Sequence, residues 1–206
     1  YNKNISHLFW RHIFTIEELN NFKYFKDLNV DIFEIFENQI NIMNSHKSRL
    51  KDYKNIMSAV DMETWLVDHA LKLWDKAGMS NSVEIRVPFL DIEFLNNIFM
   101  LSSNQRINKI GSKQILRNGL NNFVSKSITS LPKKGFTVPT GDWLRNKKIN
   151  KLFKELTFSL DTNLVDHEYL ENIWKNFDNK RGNFAWRLWI LGCLGGWIDK
   201  HKIKFN

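Results

Sequence analysis

Residues 83–91 read VEIRVPFLD and residues 132–139 read PKKGFTVP. These two segments contain all three prolines of the chain, and the residues before Gly78 include neither glycine nor proline. Proline restricts its predecessor to extended backbone, and Gly135 permits the backbone angles of a turn. We therefore expect two irregular segments fixed between helices, which is where binding and catalytic residues are most often found.

Most of the remaining sequence repeats apolar residues at the three- and four-residue spacing of amphipathic helices. Such patterns occupy residues 30–43, 61–78, 92–99, 112–123, 151–156, 168–177 and 184–200. Two of them assign large side chains to a core: Trp65, Leu66, Leu73, Trp74 and Ala77 in one, Ile115, Leu116, Leu120 and Phe123 in the other. The sequence therefore predicts a mainly α fold, arranged as a single helical domain over residues 1–206.

Capping residues mark where several helices are expected to begin. Thr15 and Glu18 have the capping-box form, in which each side chain bonds the backbone N–H of the other residue. Asp61, Asp91 and Ser112 are placed to begin three further helices.

Composition and charge narrow the class of protein. With 206 residues and 43% apolar content, the chain can build a sizeable core. The net charge of +8 is spread from Lys3 to Lys204 without a dense basic run, so we expect no nucleic-acid partner. The longest apolar run, residues 189–198, is too short to span a membrane, and we expect no membrane partner.

The single cysteine, Cys193, excludes an intrachain disulfide and lies among apolar residues, which predicts a buried, inert thiol and fits a reducing compartment such as the cytoplasm. The six histidines are scattered along the sequence. We therefore predict no metal site of the thiolate or imidazole type.

Charged residues near the two irregular segments form the candidate site. Asp68 and Lys72 are spaced to pair on a helix, and Asp75 falls on the same helical face as Asp68. In extended backbone before Pro88, Glu84 and Arg86 share one side of the chain, where they either orient a substrate or brace the segment as a half-buried ion pair.

A second set of charges follows in the chain. Lys113 and Arg117 are four residues apart on a predicted helix, where an anion from protein or ligand would relieve their repulsion. Lys133 and Lys134 lie on the predicted loop, next to Phe136, which can anchor that loop in a core. Spacing alone does not distinguish a catalytic lysine from a solvated one.

Taken together, these motifs resemble the asparagine synthase family. The run from Asp75 through Met79 to Glu84-x-Arg86-x-Pro88-Phe89-x-Asp91 has the spacing found in that family's C-terminal synthetase domain. Three more stretches agree in order: Asp61 to Asp68, Lys113-x-x-Leu116-Arg117, and Pro132 to Pro139 with Trp143-Leu144-Arg145.

The resemblance implies the helical C-terminal portion of an α/β ATP-pyrophosphatase-type synthetase domain. Enzymes of this family use ATP and Mg²⁺ to adenylate a carboxylate, such as aspartate, and ammonia from glutamine then displaces AMP. By the match, Lys133 is the catalytic lysine of the synthetase site. Glu84, Arg86, Asp75, Lys113 and Arg117 are implied to bind substrate or to brace the site.

Departures from the family pattern shape the remaining expectations. The family's Ser-Gly-Gly-x-Asp-Ser ATP loop, its Ser-Gly-x-Gly-x-Asp-Glu segment and its N-terminal glutaminase do not occur in this sequence. We therefore hypothesise a C-terminal part of a longer enzyme, inactive alone, with the N-terminal part of that enzyme as its partner. Leu131 and Val67 replace an arginine and a proline that are common in the family, which leaves the carboxylate substrate open.

Two alternatives remain at this point. A family relative, such as a beta-lactam synthetase, could close a lactam, cyclise a peptide or amidate a sugar acid. A non-catalytic helical binding module could retain the scaffold without the reaction.

Overall fold

The chain is known from a computed structural model that describes residues 3–9, 12–27, 34, 36–108, 111–135 and 137–204. Helices dominate, which confirms the predicted fold class. Backbone contacts divide the chain into unit 1, Tyr1–Ile35 with Phe136–Asn206, and unit 2, Phe36–Gly135. The single helical domain over residues 1–206 stays a prediction.

Short α-helices and a small β-ribbon follow each other along the chain. The first part contains α1 (Lys3–Phe9), α2 (Ile16–Leu19), α3 (Lys23–Asp27), α4 (Glu37–Lys47), α5 (Tyr53–Asp61), a π-helix (Met62–Leu71) and α6 (Lys72–Met79). A 3₁₀ turn (Pro88–Leu90), α7 (Ile92–Met100), α8 (Ser103–Arg106), β1 (Ile107–Asn108), β2 (Gly111–Ser112), α9 (Gln114–Leu120) and α10 (Lys126–Thr129) come next. The chain continues with α11 (Thr140–Arg145), α12 (Lys147–Phe158), α13 (His167–Asp178) and α14 (Ala185–His201).

The core of unit 1 is built around α14, as the apolar sequence of residues 184–200 predicts. Its inward stripe has helical spacing and includes Leu188 and Leu191. A Cβ atom built on Gly195 would overlap the Leu156 carbonyl oxygen of α12, so the glycine allows these two helices to approach closely. Buried apolar side chains from α11, α12 and α13, from the segment between α12 and α13 and from the residue before α3 complete the core: Phe22, Leu144, Phe153, Leu160, Val165, Leu170, Ile173, Trp174 and Phe177.

The start of unit 1 is held by a polar cluster at Glu18. The predicted capping box is confirmed: Thr15 N–H donates to Glu18 Oε2 at 2.7 Å, and Glu18 N–H donates to Thr15 Oγ1 at 3.2 Å. The same carboxylate pairs with Arg187 at 2.7 Å and accepts a hydrogen bond from the Tyr169 hydroxyl at 3.3 Å. Burial, together with the nearby Glu18 charge, raises the pKa of Tyr169. One side chain thus caps α2 and joins it to α13 and α14.

The start predicted at Asp61 is wrong. The helix begins at Tyr53, where the Asp52 side chain accepts from Lys54 N–H, and it continues through the π-helix to Met79. Ile56 and Val60 are buried, because the polar stretch before Asp61 carries an inward face of its own. The predicted end near Gly78 is close to the observed one.

The start predicted at Ser112 is also wrong. Ser112 and Gly111 pair antiparallel with Ile107 and Asn108, so their backbone belongs to the β-ribbon. Lys113 then adopts a left-handed conformation, with φ of 62°, before α9 begins at Gln114. Because Ser112 pairs in the β-ribbon, it does not cap α9.

Other helical predictions are confirmed within small shifts of boundary. Asp91 caps α7 by accepting from Phe94 N–H at 3.0 Å. The patterns at residues 151–156, 168–177 and 184–200 correspond to α12, α13 and α14. Much of the helix predicted over residues 30–43 lies outside the described residues, and within them α4 buries Met43. Phe136, the predicted loop anchor, also lies outside them.

Predictions of burial are wrong on α14 and in the helix over residues 61–78. Cys193 is exposed, because helical spacing places it on the side of α14 opposite Leu188 and Leu191. In the helix over residues 61–78, Trp65, Leu73, Trp74 and Ala77 are exposed, whereas Thr64 and Ala70 are buried. The i→i+5 bonding of the π-helix alters the spacing of side chains that face inward. Within the described residues, no helix is both long and apolar enough to span a bilayer.

Candidate functional site

All six residues that the sequence assigns to the site lie in unit 2. The turn after α6 begins the site. Val83 N–H donates to the Gly78 carbonyl at 3.0 Å, and Ser82 adopts a positive φ of 57°. A Cβ atom on Gly78 would lie 2.6 Å from the Val83 oxygen, so only glycine lets the chain fold back here.

The segment after this turn carries the predicted charge pair. Arg86 Nε donates to Glu84 Oε1 at 3.0 Å, and Arg86 Nη2 donates to Glu84 Oε2 at 3.4 Å. The predicted pairing is confirmed, but both side chains are exposed rather than half-buried. Water screens an exposed pair, which contributes at most about 1 kcal/mol. The pair can orient the segment, and it remains accessible to a ligand.

The acidic residues of α6 and the π-helix face solvent. Lys72 Nζ donates to Asp68 at 2.9 Å, which confirms the predicted ion pair. Asp75 is exposed one helical turn after Lys72, and within the described part of the chain it has no ion-pair partner. Asp75 is therefore available to a partner or ligand.

Lys113 and Arg117 occupy different environments. Lys113 precedes α9 in its left-handed conformation and is exposed. Arg117 lies on α9 and donates from Nη1 to the carbonyls of Thr129 and Leu131, the latter at 2.8 Å. The anion that spacing predicted between the two cations is replaced, at Arg117, by the partial negative charges of these two carbonyls.

Lys133 lies on the extended segment that follows α10. It is exposed, and among the described residues no carboxylate pairs with it. It lines two cavities of unit 2, one mainly apolar and one mainly polar. An unpaired ammonium group shared by two cavities can act on a ligand in either of them.

The apolar cavity has a volume of about 750 Å³. Among the described residues, the basic side chains that line it are Lys113, Lys133 and Arg106, and none of the lining side chains is acidic. The apolar wall comes from the 3₁₀ turn, α7, α9 and the residue Phe123 that follows α9: Phe89, Phe94, Ile98, Ile115, Leu116, Leu120 and Phe123. The predicted stripe on residues 112–123 therefore lines a cavity instead of a closed core.

The polar cavity has a volume of about 470 Å³ and is lined by Arg117, Lys126 and Lys133 with amide and hydroxyl side chains. Three basic groups, with no carboxylate among the described residues of the lining, favour an anionic ligand. Within the described residues, no three His, Cys, Asp or Glu side chains are grouped so as to hold a metal ion.

Sequence reasoning missed Lys126 and Arg106. Lys126 has no motif around it, and its place in the polar cavity depends on how α10 follows α9. Arg106 donates to Asn55 and lies 5.4 Å from the Phe99 ring centre, contacts that no local pattern signals.

Comparison with known proteins identifies the chain's relatives. The sequence profile of the family described as Asparagine synthase matches residues 7–199. A protein of Mycobacterium bovis, named a candidate asparagine synthetase of the glutamine-hydrolysing type, is 32% identical over 139 residues, which are 66% of this chain and 21% of that protein. The Bacillus subtilis protein named glutamine-hydrolysing asparagine synthetase 1 is 26% identical over 153 residues, 74% of this chain and 24% of that protein.

The matched part thus spans about a fifth to a quarter of the length of these curated relatives. No solved structure matches the chain. The profile match extends over nearly all of the described residues, including every predicted site residue. This chain belongs to the asparagine synthase family.

Proposed function

We propose that this chain is part of an ATP-dependent ligase that forms an amide from a carboxylate and ammonia. The observation that carries the proposal is the position of Lys133, an exposed lysine that lines the apolar and the polar cavity and has no carboxylate partner among the described residues. Membership of the asparagine synthase family supports the same chemistry.

The proposed reaction has two steps. An oxygen of the substrate carboxylate attacks the α-phosphorus of ATP, which forms an acyl adenylate and releases pyrophosphate. The nitrogen of ammonia then attacks the acyl carbon, the bond to AMP breaks, and the added nitrogen loses a proton to leave the amide. Both steps build negative charge on oxygen atoms.

Lys133 is proposed to stabilise that charge. A fixed ammonium group needs no reorganisation as charge develops on the phosphate or on the carbonyl oxygen, and removing one such group commonly costs about 100- to 1,000-fold in rate. Lys126 and Arg117 add positive charge to the same polar cavity. Their sum favours a phosphate or carboxylate over a neutral ligand.

ATP and Mg²⁺ are proposed for the full-length enzyme, with the main ATP loop outside this chain. The described residues offer basic groups for phosphate oxygens but no cluster of carboxylates for the cation. We therefore assign no step of the reaction to a metal ligand in this chain, and we expect the chain alone to be inactive.

The substrate is proposed to be aspartate or a related carboxylate, and glutamine is proposed as the source of ammonia because the relatives are named glutamine-hydrolysing. A relative that forms a lactam, peptide amide or sugar amide is an alternative within the same chemistry. The apolar cavity lined by Lys113 and Lys133 supports this alternative, because its apolar wall suits an organic acid larger than aspartate.

The rest of the same enzyme is the proposed partner of unit 2. Large apolar side chains remain exposed there, and such surfaces commonly mark interaction sites. They include Trp65, Leu73, Phe89, Ile92, Phe94, Met100, Ile115 and Phe123. The same surface would serve a non-catalytic helical binding module, so an activity assay on the whole protein must distinguish the ligase from the binding module.

We propose a cytoplasmic location for the whole protein.

The test compares Lys133→Ala with Lys134→Ala in the full-length protein. Both lysines are exposed on one loop, but only Lys133 lines the cavities. Carboxylate-dependent exchange of pyrophosphate into ATP should fall at least about 100-fold in Lys133→Ala, because adenylation loses its fixed charge. Lys134→Ala should keep the wild-type rate, and neither variant should change the melting temperature appreciably.

Equal exchange in Lys133→Ala and the wild-type protein would remove Lys133 from catalysis. A wild-type protein that shows no exchange with any carboxylate tested would refute the ligase and favour the non-catalytic binding module.

A further inference from the structure

Arg117 joins α9 to the end of α10. Its Nη1 atom donates to the Thr129 carbonyl and, at 2.8 Å, to the Leu131 carbonyl. The last carbonyls of a helix have no partner within that helix, and they carry the negative end of its dipole. A guanidinium group satisfies both needs, since it is always charged and donates hydrogen bonds.

A second contact holds the same short helix. The Thr129 hydroxyl donates to Asn121 Oδ1 at 2.7 Å, just after the end of α9. Leu131 N–H also donates to the Ile128 carbonyl at 3.2 Å. The backbone is therefore fixed up to Leu131 by the side chains of Arg117 and Asn121 and by the Ile128 carbonyl.

Beyond Leu131 this support stops. Residues 132–135 make no hydrogen bond with the described part of the chain, and they are exposed. Lys133 lies two residues after the Leu131 carbonyl, a distance of at most about 7 Å along extended backbone. The Arg117 bond is thus the last anchor before Lys133, and a shift at this anchor is passed to the ammonium group.

We propose that Arg117 is a positioning residue, which holds the Lys133 loop at the place where its ammonium group meets the ligand. This inference rests on the proposed function, because the proposed reaction supplies the group on which Lys133 acts. Arg117 acts through the backbone of residues 129–131 and not on the reacting atoms. An exposed loop needs such an anchor, since an error of about 1 Å in a catalytic group can cost about 100-fold in rate.

The first experiment measures the anchor without any substrate. Trypsin cleaves after Lys133 and Lys134 at a rate that depends on how freely this loop opens. In the folded full-length protein, Arg117→Ala should speed cleavage at these two bonds at least about 10-fold. Lowering the free energy of loop opening by about 1.4 kcal/mol raises the open fraction tenfold. Mass spectrometry of the fragments measures the cleavage at each bond. Arg117→Lys should give an intermediate rate, since a lysine keeps the charge and can reach one carbonyl.

Arg49→Ala is the matched control. Arg49 is an exposed arginine of unit 2 that lines neither cavity of the candidate site. Its variant should be cleaved after Lys133 and Lys134 at the wild-type rate. Melting temperatures of all variants show whether faster cleavage reflects the loop or the whole fold.

The second experiment measures exchange of pyrophosphate into ATP in the same proteins. Arg117→Ala should lower kcat by about 100-fold, a larger factor than any rise in the KM for the carboxylate. Arg117→Lys should recover only part of kcat, although it keeps the positive charge that lines the polar cavity. A purely structural role would lower the melting temperature and the amount of active protein, but it would not lower kcat per folded molecule.

The outcomes separate the inference from the function on which it rests. Unchanged cleavage in Arg117→Ala overturns the anchor, whatever the activity. Faster cleavage with unchanged exchange overturns the positioning role. A wild-type protein without exchange refutes the proposed function and, with it, the catalytic purpose of the anchor, while the cleavage result still decides whether the anchor exists.

Discussion

Unit 1 and unit 2 are both helical, but they bury apolar side chains to different extents. In unit 1, Leu144, Leu170 and Leu188 are completely buried in a continuous cluster. In unit 2, the buried apolar residues belong mainly to α4 and α5, while α6, α7 and α9 expose most of theirs. Apolar surface leaves water only where another surface covers it. Unit 1 covers its own, whereas unit 2 presents its apolar surface around the candidate site.

The difference also separates the packed core from the predicted site residues. The six predicted site residues all lie in unit 2, and Lys133 and the Glu84–Arg86 pair lie on segments outside its helices. The closest helix packing that glycine permits, at Gly192 and Gly195, lies in unit 1. A rigid packed part and an exposed part with charged loops is the usual division in proteins that bind ligands.

The largest expected effect compares two Leu→Ala substitutions in this chain. Leu188 is 0% exposed and Leu73 is 54% exposed. Leu188→Ala should lower the free energy of unfolding by about 2–5 kcal/mol, because it removes buried methyl groups and leaves a cavity. Leu73→Ala should change it by less than about 0.5 kcal/mol. Denaturant titration measures both.

Equal losses in the two variants would break the comparison between the units. A large loss of stability for Leu73→Ala that occurs in the full-length protein but not in this chain would sharpen the comparison. That result would mean that the rest of the enzyme covers Leu73.

A smaller effect is expected from two Gly→Ala substitutions. Gly195→Ala should destabilise this chain by about 1–3 kcal/mol, because the new Cβ would overlap the Leu156 carbonyl and force α12 and α14 apart. Nothing lies within 4 Å of a Cβ atom on Gly119 in α9, so Gly119→Ala should stabilise by up to about 1 kcal/mol. Thermal melts of both variants give the signs.

The sign of the stability change in Gly119→Ala tests how open the surface of α9 is. A destabilised Gly119→Ala would mean that another surface packs against this side of α9, and that unit 2 is less open there.

The smallest expected effect is the absence of a shift. ATP with Mg²⁺ should leave the melting temperature of this 206-residue chain unchanged, because the main ATP loop is proposed to lie elsewhere in the enzyme. A ligand at 100 times its dissociation constant would add about 2.7 kcal/mol of stability, so binding would be visible. A clear rise would place more of the nucleotide site in unit 2, and a lysine variant at position 133 would then show whether the polar cavity is responsible.

Much of the fold could be predicted from local sequence. The helical patterns of α12, α13 and α14, the Asp91 cap and the Thr15–Glu18 capping box depend on residues a few positions apart. The errors at Asp61 and Ser112 arise where a longer helix or a strand pairing overrides a plausible cap. A capping residue predicts where a helix can begin, and its neighbours decide whether it does.

The candidate site divides in the same way. The Glu84–Arg86 and Asp68–Lys72 pairs follow from strand and helix spacing, and both are formed. Burial was predicted less well, because periodicity identifies an apolar face without identifying what covers it.

The sequence by itself determined the helical class, the local caps, the short-range ion pairs and the family motifs. Only the tertiary structure decided that Glu18, already the cap of α2, pairs with Arg187 169 positions away, and that Arg117 holds the carbonyls before Lys133. The physical reason is range. A cap or an i,i+4 pair is fixed by backbone geometry within one turn, whereas contacts between distant segments depend on how whole helices pack, and no local pattern encodes that packing.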